Sequence, residues 1–366
     1  MALHVIGSAA GVPAAGANTC GVLLEYLRGS FVLYDCPEGT SRHLLAKRIP
    51  LSRVEAVIVS HMHADHVSGL VGFLSLCASA SSGQRLPRLF GPDGLQAFLD
   101  ACEASIGGFP RVRVERPPLG APLPLYTPPD PADSTTPSVS LLLFPLKHVV
   151  PSLGLCVLVG PCVTVLTARA LEDGVRLDQL RSLRTAGTET VTIEVGGRQV
   201  PTSAYQQRHP ARRYVLISDN CAEALLDDPD YALQMGLEES EGEATDHSFL
   251  GFARRAGLLE PDLLLHELTY LRSEAEKAAG RGHSHTGMVL RLCEALRPKL
   301  LLLNHFSPRY RRPAALQPAD CTPLRPTTAP VASDDPIAQD WFEASKGSFP
   351  TVFGLDGAVV GTDEPV

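Results

Sequence analysis

The stretch Val54-Glu55-Ala56-Val57-Ile58-Val59-Ser60-His61-Met62-His63-Ala64-Asp65-His66 decides the fold of this chain. Its apolar first half predicts a buried strand, which delivers three imidazoles and a carboxylate into one loop. This ligand set is the one that borderline divalent metals such as zinc prefer. On a tight turn, His61 and His63 can point the same way. Asp65 and His66 then face a second position a few ångströms away, so one loop can supply ligands to two metal sites.

Two cations about 3.5–4 Å apart clamp the attacking and leaving oxygens of a displacement at phosphorus, so the motif predicts a metallohydrolase. A surface histidine cluster without a function is the alternative. The strand that precedes the motif disfavours it.

Segments along nearly the whole chain resemble the tRNase Z branch of the metallo-β-lactamase superfamily, endonucleases that trim the 3′ end of precursor tRNA. The stretch Ser60–Leu70 is similar to the metal-binding signature of that branch. Six further segments match the family motifs in order: Gly7–Pro13, Tyr34–Thr40, Ile217–Asn220, Leu265–Tyr270, Gly282–Ser284 and Asn304–Tyr310.

The resemblance implies an α/β (α+β) fold, the αββα metallo-β-lactamase sandwich, in which two mixed β-sheets are flanked by helices. Two series of predicted strands and helices fit it, and the second series includes strands at Thr190–Val195 and Tyr214–Ser218. The predicted organisation is a catalytic domain at 1–310, with a reduced arm at about 160–213 and an acidic loop insertion at 223–246, then a Pro/Ala-rich linker at 311–335 and a C-terminal segment at 336–366 with a final strand at 351–360.

The net charge of −8 is unusual for a protein that binds RNA. Nine acids and no Lys or Arg lie between Glu223 and Asp246, which leaves the rest of the chain close to neutral. We expect this stretch to be a solvated loop. The nine cysteines form no CxxC pair, and we expect them to be reduced core residues.

The resemblance also implies the ligands of two metal ions, which we expect to be zinc, although mixed His/Asp ligands also accommodate manganese and cobalt. Asp219 would bridge both ions, but a carboxylate at a strand end is often only a helix cap. The expected metal ligands are His61, His63, Asp65, His66, His148, Asp219 and His305.

Asp65, His283 and Glu267 are the expected catalytic residues. A hydroxide shared by the two metals would attack the phosphodiester. By the resemblance, His283 would then protonate the leaving 3′ oxygen, and Glu267 would orient its imidazole. Because His285 stands where the family usually has Thr, a swap of roles between the two histidines stays open.

Two departures from the family concern the substrate. The loop Pro13–Asn18 lacks the Lys and Arg that contact the tRNA acceptor end, and Gly174–Arg184 lacks the Gly-Pro-rich knuckle of the arm that grips the tRNA elbow. Three hypotheses therefore remain. The chain is a tRNA 3′-processing endoribonuclease, a related phosphodiesterase acting on another RNA or on small phosphodiesters, or a non-catalytic binding or scaffold protein.

The expected partners are precursor tRNA or another RNA, with no membrane, and the resemblance favours a homodimer. No signal peptide, transit peptide or transmembrane segment is visible, so we expect an intracellular location, cytoplasmic or nuclear.

Overall fold

A computed structural model describes residues 2–14, 17–81, 85–185, 191–236, 246–310, 335–354 and 356–361. The chain forms two compact units. The first comprises Met1–Ala121, Leu143–Cys156 and Tyr214–Val366, and the second comprises Pro122–Leu142 and Val157–Arg213. The predicted linker at 311–335 lies outside the described residues apart from Asp335.

The described strands and helices are as follows. The strands are β1 (Ala2–Gly7), β2 (Gly21–Leu27), β3 (Ser30–Tyr34), β4 (Val54–Ile58), β5 (Arg88–Phe90), β6 (Val114–Glu115), β7 (Leu123–Tyr126), β8 (Val139–Leu146), β9 (Ser152–Val159), β10 (Cys162–Val165), β11 (Thr192–Val195), β12 (Arg198–Pro201), β13 (Gln206–His209), β14 (Arg212–Ile217), β15 (Leu263–Glu267), β16 (Leu301–Asn304), β17 (Thr351–Phe353) and β18 (Val359–Gly361). The α-helices are α1 (Thr40–Ala46), α2 (Ala64–Val67), α3 (Leu70–Ala80), α4 (Leu95–Ser105), α5 (Thr167–Glu172), α6 (Leu180–Thr185), α7 (Ala222–Leu226), α8 (Phe249–Arg255), α9 (Ala275–Gly280), α10 (Thr286–Leu296) and α11 (Pro336–Ser345).

The first large sheet has the order β18-β1-β2-β3-β4-β5-β6. Its strands are antiparallel from β18 to β3 and parallel from β3 to β6. Leu44 of α1, Phe73 of α3 and Leu99 of α4 belong to the same buried cluster as Leu23 and Val57 of the sheet. The helices therefore cover one face of this sheet. Four of the five residues of β4 are buried, so both faces of this strand are covered, which explains why it is apolar almost throughout.

The second large sheet has the order β17-β16-β15-β14-β9-β8-β7. Strands β14, β15, β16 and β17 are parallel, and β15 and β16 are buried along their whole length. The carboxyl ends of parallel strands meet at one edge of a sheet, so residues that follow β14, β15 and β16 converge there. Two mixed sheets flanked by helices confirm the predicted αββα sandwich.

The second unit has its own small core of apolar side chains, which includes Ala170, Val175 and Leu183. The predicted strand at Thr190–Val195 was wrongly assigned to the second large sheet. As β11 (Thr192–Val195), it pairs with β12 in a separate two-stranded hairpin. Gly196 and Gly197 both have positive φ angles, 56° and 77°, as a two-residue hairpin turn requires. This Gly-Gly turn was the overlooked sequence signal.

The expectation of a solvated loop at 223–246 is wrong for its first part. Helix α7 and a 3₁₀ helix at Tyr231–Met235 occupy it, and Tyr231 is fully buried against Phe249 and Phe252. The aromatic side chain holds the segment on the core despite the surrounding acids, and residues 237–245 lie outside the described part.

The C-terminal segment is richer than the single predicted strand. It contains α11, β17 and β18, and its two strands join different sheets. Among the described residues, no helix is long and apolar enough to cross a membrane.

Candidate metal centre

The histidine motif occupies the loop after β4 and the single turn of α2. His63 is the last extended residue before α2, with φ −72° and ψ 147°, and Asp65 and His66 lie within the turn. The backbone of Cys36 pins this turn, because its N–H donates to the His66 carbonyl at 2.8 Å and its carbonyl accepts from Gly69 at 2.9 Å. A Cβ at Gly69 would lie 1.9 Å from the Pro37 carbonyl oxygen, so only glycine permits this approach.

The first group of converging ligand atoms is His61 Nε2, His63 Nδ1, His148 Nε2 and Asp219 Oδ2. Nδ1 of His63 lies 3.0 Å from His61 Nε2 and 3.3 Å from His148 Nε2. Oδ2 of Asp219 lies 3.6 Å from His61 Nε2 and 3.9 Å from His148 Nε2. Tetrahedral zinc with bonds of about 2.0–2.1 Å separates its ligand atoms by about 3.3 Å, so the group has the dimensions of such a site.

The second group is formed by Asp65 Oδ2, His66 Nε2 and His305 Nε2. Both imidazole nitrogens lie close to Asp65 Oδ2, at 3.4 Å from His66 and 3.5 Å from His305. The other carboxylate oxygen of Asp219, Oδ1, lies 3.5 Å from His66 Nε2 and 3.2 Å from His305 Nε2. Asp219 therefore directs one oxygen to each group.

Several atoms of these groups are buried without a hydrogen-bond partner in the described part of the chain. They are His66 Nε2, His305 Nε2 and Asp219 Oδ1. Buried polar atoms are normally paired, and coordination of a cation would satisfy all three at once.

The charges around the groups also fit cations. Burial alone would raise the pKa of Asp65, but the neighbouring imidazoles of His305 and His66 hold that pKa well below its ordinary value. Burial lowers the pKa of His61 to about 2, so its imidazole is neutral and can be a ligand. Counting the adjacent Asp35 and Glu267, four carboxylates surround the two groups, and two dications would balance them.

Asp35 supports the second group from behind. Its Oδ2 accepts from His66 Nδ1 at 2.8 Å and from Ser60 Oγ at 2.9 Å, and its Oδ1 accepts from the Ser60 N–H at 2.7 Å. Because Nδ1 of His66 donates to Asp35, the lone pair of Nε2 faces the ligand atoms. Asp35 has a φ angle of 62°, a conformation that is costly for a residue other than glycine.

Glu267 has the same role on the other side. Its Oε1 accepts from His283 Nδ1 and from the Ser284 N–H, both at 3.0 Å. Its Oε2 accepts from the Thr269 hydroxyl, whose oxygen in turn lies 2.8 Å from His305 Nδ1. His305, with a φ of 59°, is thus oriented through Thr269, and His283 is oriented directly.

The structure places the two candidate proton donors differently. Nδ1 of His285 accepts from the Gly287 N–H at 3.0 Å and caps α10, so this ring is part of the helix terminus. His283 lines the cavity beside the ligand groups, and attraction from Glu267 outweighs burial and raises its pKa to about 9. Its Nδ1 lies 3.8 Å from Asp219 Oδ2, but the shorter hydrogen bond to Glu267 occupies that atom.

A cavity of about 430 Å³ opens beside the ligand groups. Besides Asp65, Asp219, His283 and His305, it is lined by residues that the sequence did not single out. They include Val12, Tyr270, Lys277 and Arg281. Asp35, Ser60 and Thr269 were present in the matched segments, yet their contacts depend on chain crossings that the sequence does not reveal.

Comparison with known proteins supports the resemblance. The chain is 27% identical over 317 residues to a ribonuclease Z of Acaryochloris marina, which covers 85% of this chain and 87% of that protein. It is 29% identical over 327 residues to a ribonuclease Z of Synechococcus sp., which covers 85% and 88%. A family model described as Anti-Pycsar protein Apyc1 matches residues 1–102.

Solved structures confirm the fold. The short form of human tRNase Z superposes with a TM-score of 0.53 at 18% identity and covers 100% of both chains. The metallo-β-lactamase fold protein YhfI from Bacillus subtilis gives the same TM-score at 16% identity and covers 98% of each chain.

Proposed function

We propose that this chain, which has the metallo-β-lactamase fold and is homologous to ribonuclease Z, is a metal-dependent endoribonuclease that removes the 3′ trailer of precursor tRNA. The observation that carries the proposal is the division of the Asp219 carboxylate, with one oxygen 3.2 Å from His305 and the other 3.6 Å from His61. A bridging carboxylate between two ligand groups is the arrangement that a pair of cations needs for displacement at phosphorus.

Zinc is the proposed metal, because five imidazole nitrogens and two carboxylates are ligands it favours, although manganese and cobalt fit the same donors. His61, His63 and His148 would hold one ion, Asp65, His66 and His305 the other, and Asp219 would contact both. When bound, such a pair would lower the pKa of a coordinated water to near neutrality and offset negative charge on the phosphoryl oxygens.

His283 would supply the proton that the leaving 3′ oxygen requires. The carboxylate of Glu267 accepts from Nδ1 of His283 and keeps the ring protonated at neutral pH, which leaves Nε2 to donate. Glu267 is fixed in turn by the N–H groups of Asn220 and Ser284, at 3.1 and 3.0 Å. Glu267, which orients the donor, is therefore held by the backbone of the residue after Asp219 and of the residue after His283.

A related phosphodiesterase that acts on another RNA or on small phosphodiesters is the second candidate. Two observations favour it: the stretch Val12–Asn18 contains no Lys or Arg, and the family model matching residues 1–102 carries a different name. The scaffold hypothesis has less support, because a scaffold has no need for seven converging ligand residues. An intracellular location and a homodimer also remain proposals.

Incubation with a precursor tRNA that bears a 3′ trailer, and separately with bis(p-nitrophenyl) phosphate, distinguishes the candidates. Cleavage after the discriminator base supports tRNA processing, and turnover of the small ester alone supports the second candidate. Asp65→Asn keeps the size of the side chain but removes a ligand charge, so it should abolish both activities. Turnover of neither substrate by the metal-loaded wild-type protein would contradict both enzymatic functions.

A further inference from the structure

We infer that Lys277, Arg281 and Arg309 form a binding site for a second phosphate of the substrate, so that the cavity is built for an oligoribonucleotide rather than for a compound with a single phosphodiester. The inference rests on the proposed function, because the first phosphate would occupy the metal centre. The three residues are called the basic wall below.

The basic wall and the ligand groups line the same cavity. Lys277 lies in α9, Arg281 follows the end of that helix, and Arg309 comes from the loop after β16 that also carries His305. An RNA backbone with one phosphate at the metal centre, beside Asp65 and Asp219, can therefore place its next phosphate at the basic wall within the same cavity of about 430 Å³.

The charge of the basic wall is only partly neutralised. Glu274 lies 3.3 Å from Lys277 Nζ and 3.6 Å from Arg309 Nη1, so one carboxylate serves two cations. Arg281 is exposed and forms no ion pair with any described residue. The wall retains two positive charges in excess. Exposed ion pairs contribute little to stability, so these side chains can exchange Glu274 for a phosphate at small cost.

Tyr270 holds two of the cations at the cavity. The guanidinium carbon of Arg309 lies 5.3 Å from the centroid of the ring, and Nζ of Lys277 lies 5.8 Å from it. Ser307 Oγ also accepts from Arg309 Nε at 3.1 Å. A guanidinium restrained in this way loses less freedom when it binds a phosphate through its fork of N–H groups.

The loop Ala10–Val12 on the cavity has no charge, and Val12 is 61% exposed. Among the described residues, the cations that line the cavity therefore come from α9, the residue that follows it and the loop after β16, while the loop Ala10–Val12 offers an apolar surface. This distribution compensates for the Lys and Arg that Pro13–Asn18 lacks.

The test measures binding of a fluorescent single-stranded oligoribonucleotide without added metal, so that the RNA is not cleaved. The double variant Lys277→Gln/Arg281→Gln should raise Kd about tenfold or more. It should also reduce the slope of log K against log salt by about 1.4, as expected for two lost contacts with single-stranded phosphates.

The matched control is Arg297→Gln/Lys299→Gln, which removes the same charge from exposed residues that do not line the cavity. Its Kd and salt slope should stay close to those of the wild type. Equal effects of the two double variants, or an unchanged salt slope in Lys277→Gln/Arg281→Gln, would overturn the inference.

Hydrolysis of bis(p-nitrophenyl) phosphate by the wild type tests the metal centre separately. If the wild type turns over neither this ester nor precursor tRNA, while Lys277→Gln/Arg281→Gln selectively loses RNA binding, the result would count against the proposed function and still support the basic wall.

Discussion

Oδ2 of Asp35 lies 2.8 Å from Nδ1 of His66, and both side chains are buried. The imidazole therefore donates to Asp35 on one side and presents Nε2 to Asp65 and Asp219 on the other. Asp35 is no ligand itself, since its carboxylate is also occupied by Ser60 and Ser218. The pair links the end of β3 to the metal motif after β4, and it makes ligand orientation depend on a residue 31 positions away.

Replacing Asp35 by Ala should weaken metal binding at the Asp65–His66–His305 group by about 10–100-fold, because loss of such an outer acceptor releases the ligand ring. Competition with a chromogenic chelator measures the affinity. Asp93→Ala, which removes an exposed carboxylate paired with Arg116, is the control. An Asp35→Ala protein that binds two ions as tightly as the wild type would show that His66 is oriented without Asp35.

His283→Gln should reduce cleavage of RNA by about 100-fold or more, but it should affect bis(p-nitrophenyl) phosphate much less, since p-nitrophenolate leaves without a proton. The pKa of His283 is raised to about 9, and the donor must be protonated. The His283-dependent rate is therefore present at lower pH and lost as pH rises through that pKa. Bound cations would shift this loss to lower pH without changing its direction. Pre-steady-state cleavage rates across pH measure it, and equal losses on both substrates would exclude His283 as the proton donor.

Removal of metal should lower the melting temperature. Without cations, Asp219 Oδ1 and Nε2 of His66 and His305 remain buried without a hydrogen-bond partner among the described residues. A ligand at 100 times its Kd stabilises a protein by about 2.7 kcal/mol. Differential scanning calorimetry with EDTA and after return of zinc measures the change. The shift should be absent in a His61→Ala/His305→Ala double variant. An EDTA-insensitive melting temperature in the wild type would argue against a metal centre.

Asp356→Ala should destabilise the loop between β1 and β2, which contains Ser8, Gly11 and Asn18. The carboxylate of Asp356 accepts from Ser8 Oγ at 2.6 Å and from the Asn18 N–H, and the same loop delivers the Gly11 N–H to Asp65 Oδ2 at 2.8 Å. Loss of the acceptor leaves partly buried donors unpaired and should cost about 1–3 kcal/mol. Urea denaturation measures the stability, and cobalt absorption spectra report on Asp65. Glu343→Ala, at an exposed residue of the same segment, should change neither the stability nor the spectrum. If Asp356→Ala also changed neither, the C-terminal segment would not contribute to the metal centre.

His43 should make the stability pH-dependent. Burial, with smaller effects of Lys47 and His4, lowers its pKa to about 4, from about 6.5 in the unfolded chain. The unfolded state therefore takes up the proton first. The stabilising effect of the neutral ring is complete above about pH 6.5 and is lost as pH falls towards 4. His43→Gln cannot be protonated, so its unfolding free energy should fall less between about pH 7 and pH 5, as measured with urea. Parallel pH profiles for the two proteins would contradict this.

The elements that could be predicted were those with a strong local signal. The strand before His61 is apolar almost throughout, and the structure has it as β4. The hairpin at Thr192–Pro201 and the buried Tyr231 were missed for opposite reasons. The sequence of a short strand does not show which strand it pairs with. In the acidic stretch, the many charged residues predict a solvated loop, although the single aromatic residue is buried.

The sequence alone determined which residue types could hold metal and that a strand would deliver four of them in one loop, because adjacency along the chain and strand periodicity are local properties. The tertiary structure alone decided how Asp219 divides its two oxygens, that Asp35 and Glu267 stand behind the ligands, and that Lys277, Arg281 and Arg309 share the cavity. Those relationships join segments tens to hundreds of residues apart. Their geometry follows from the pairing of parallel strands and the packing of two sheets, which bring the ends of distant strands to one edge.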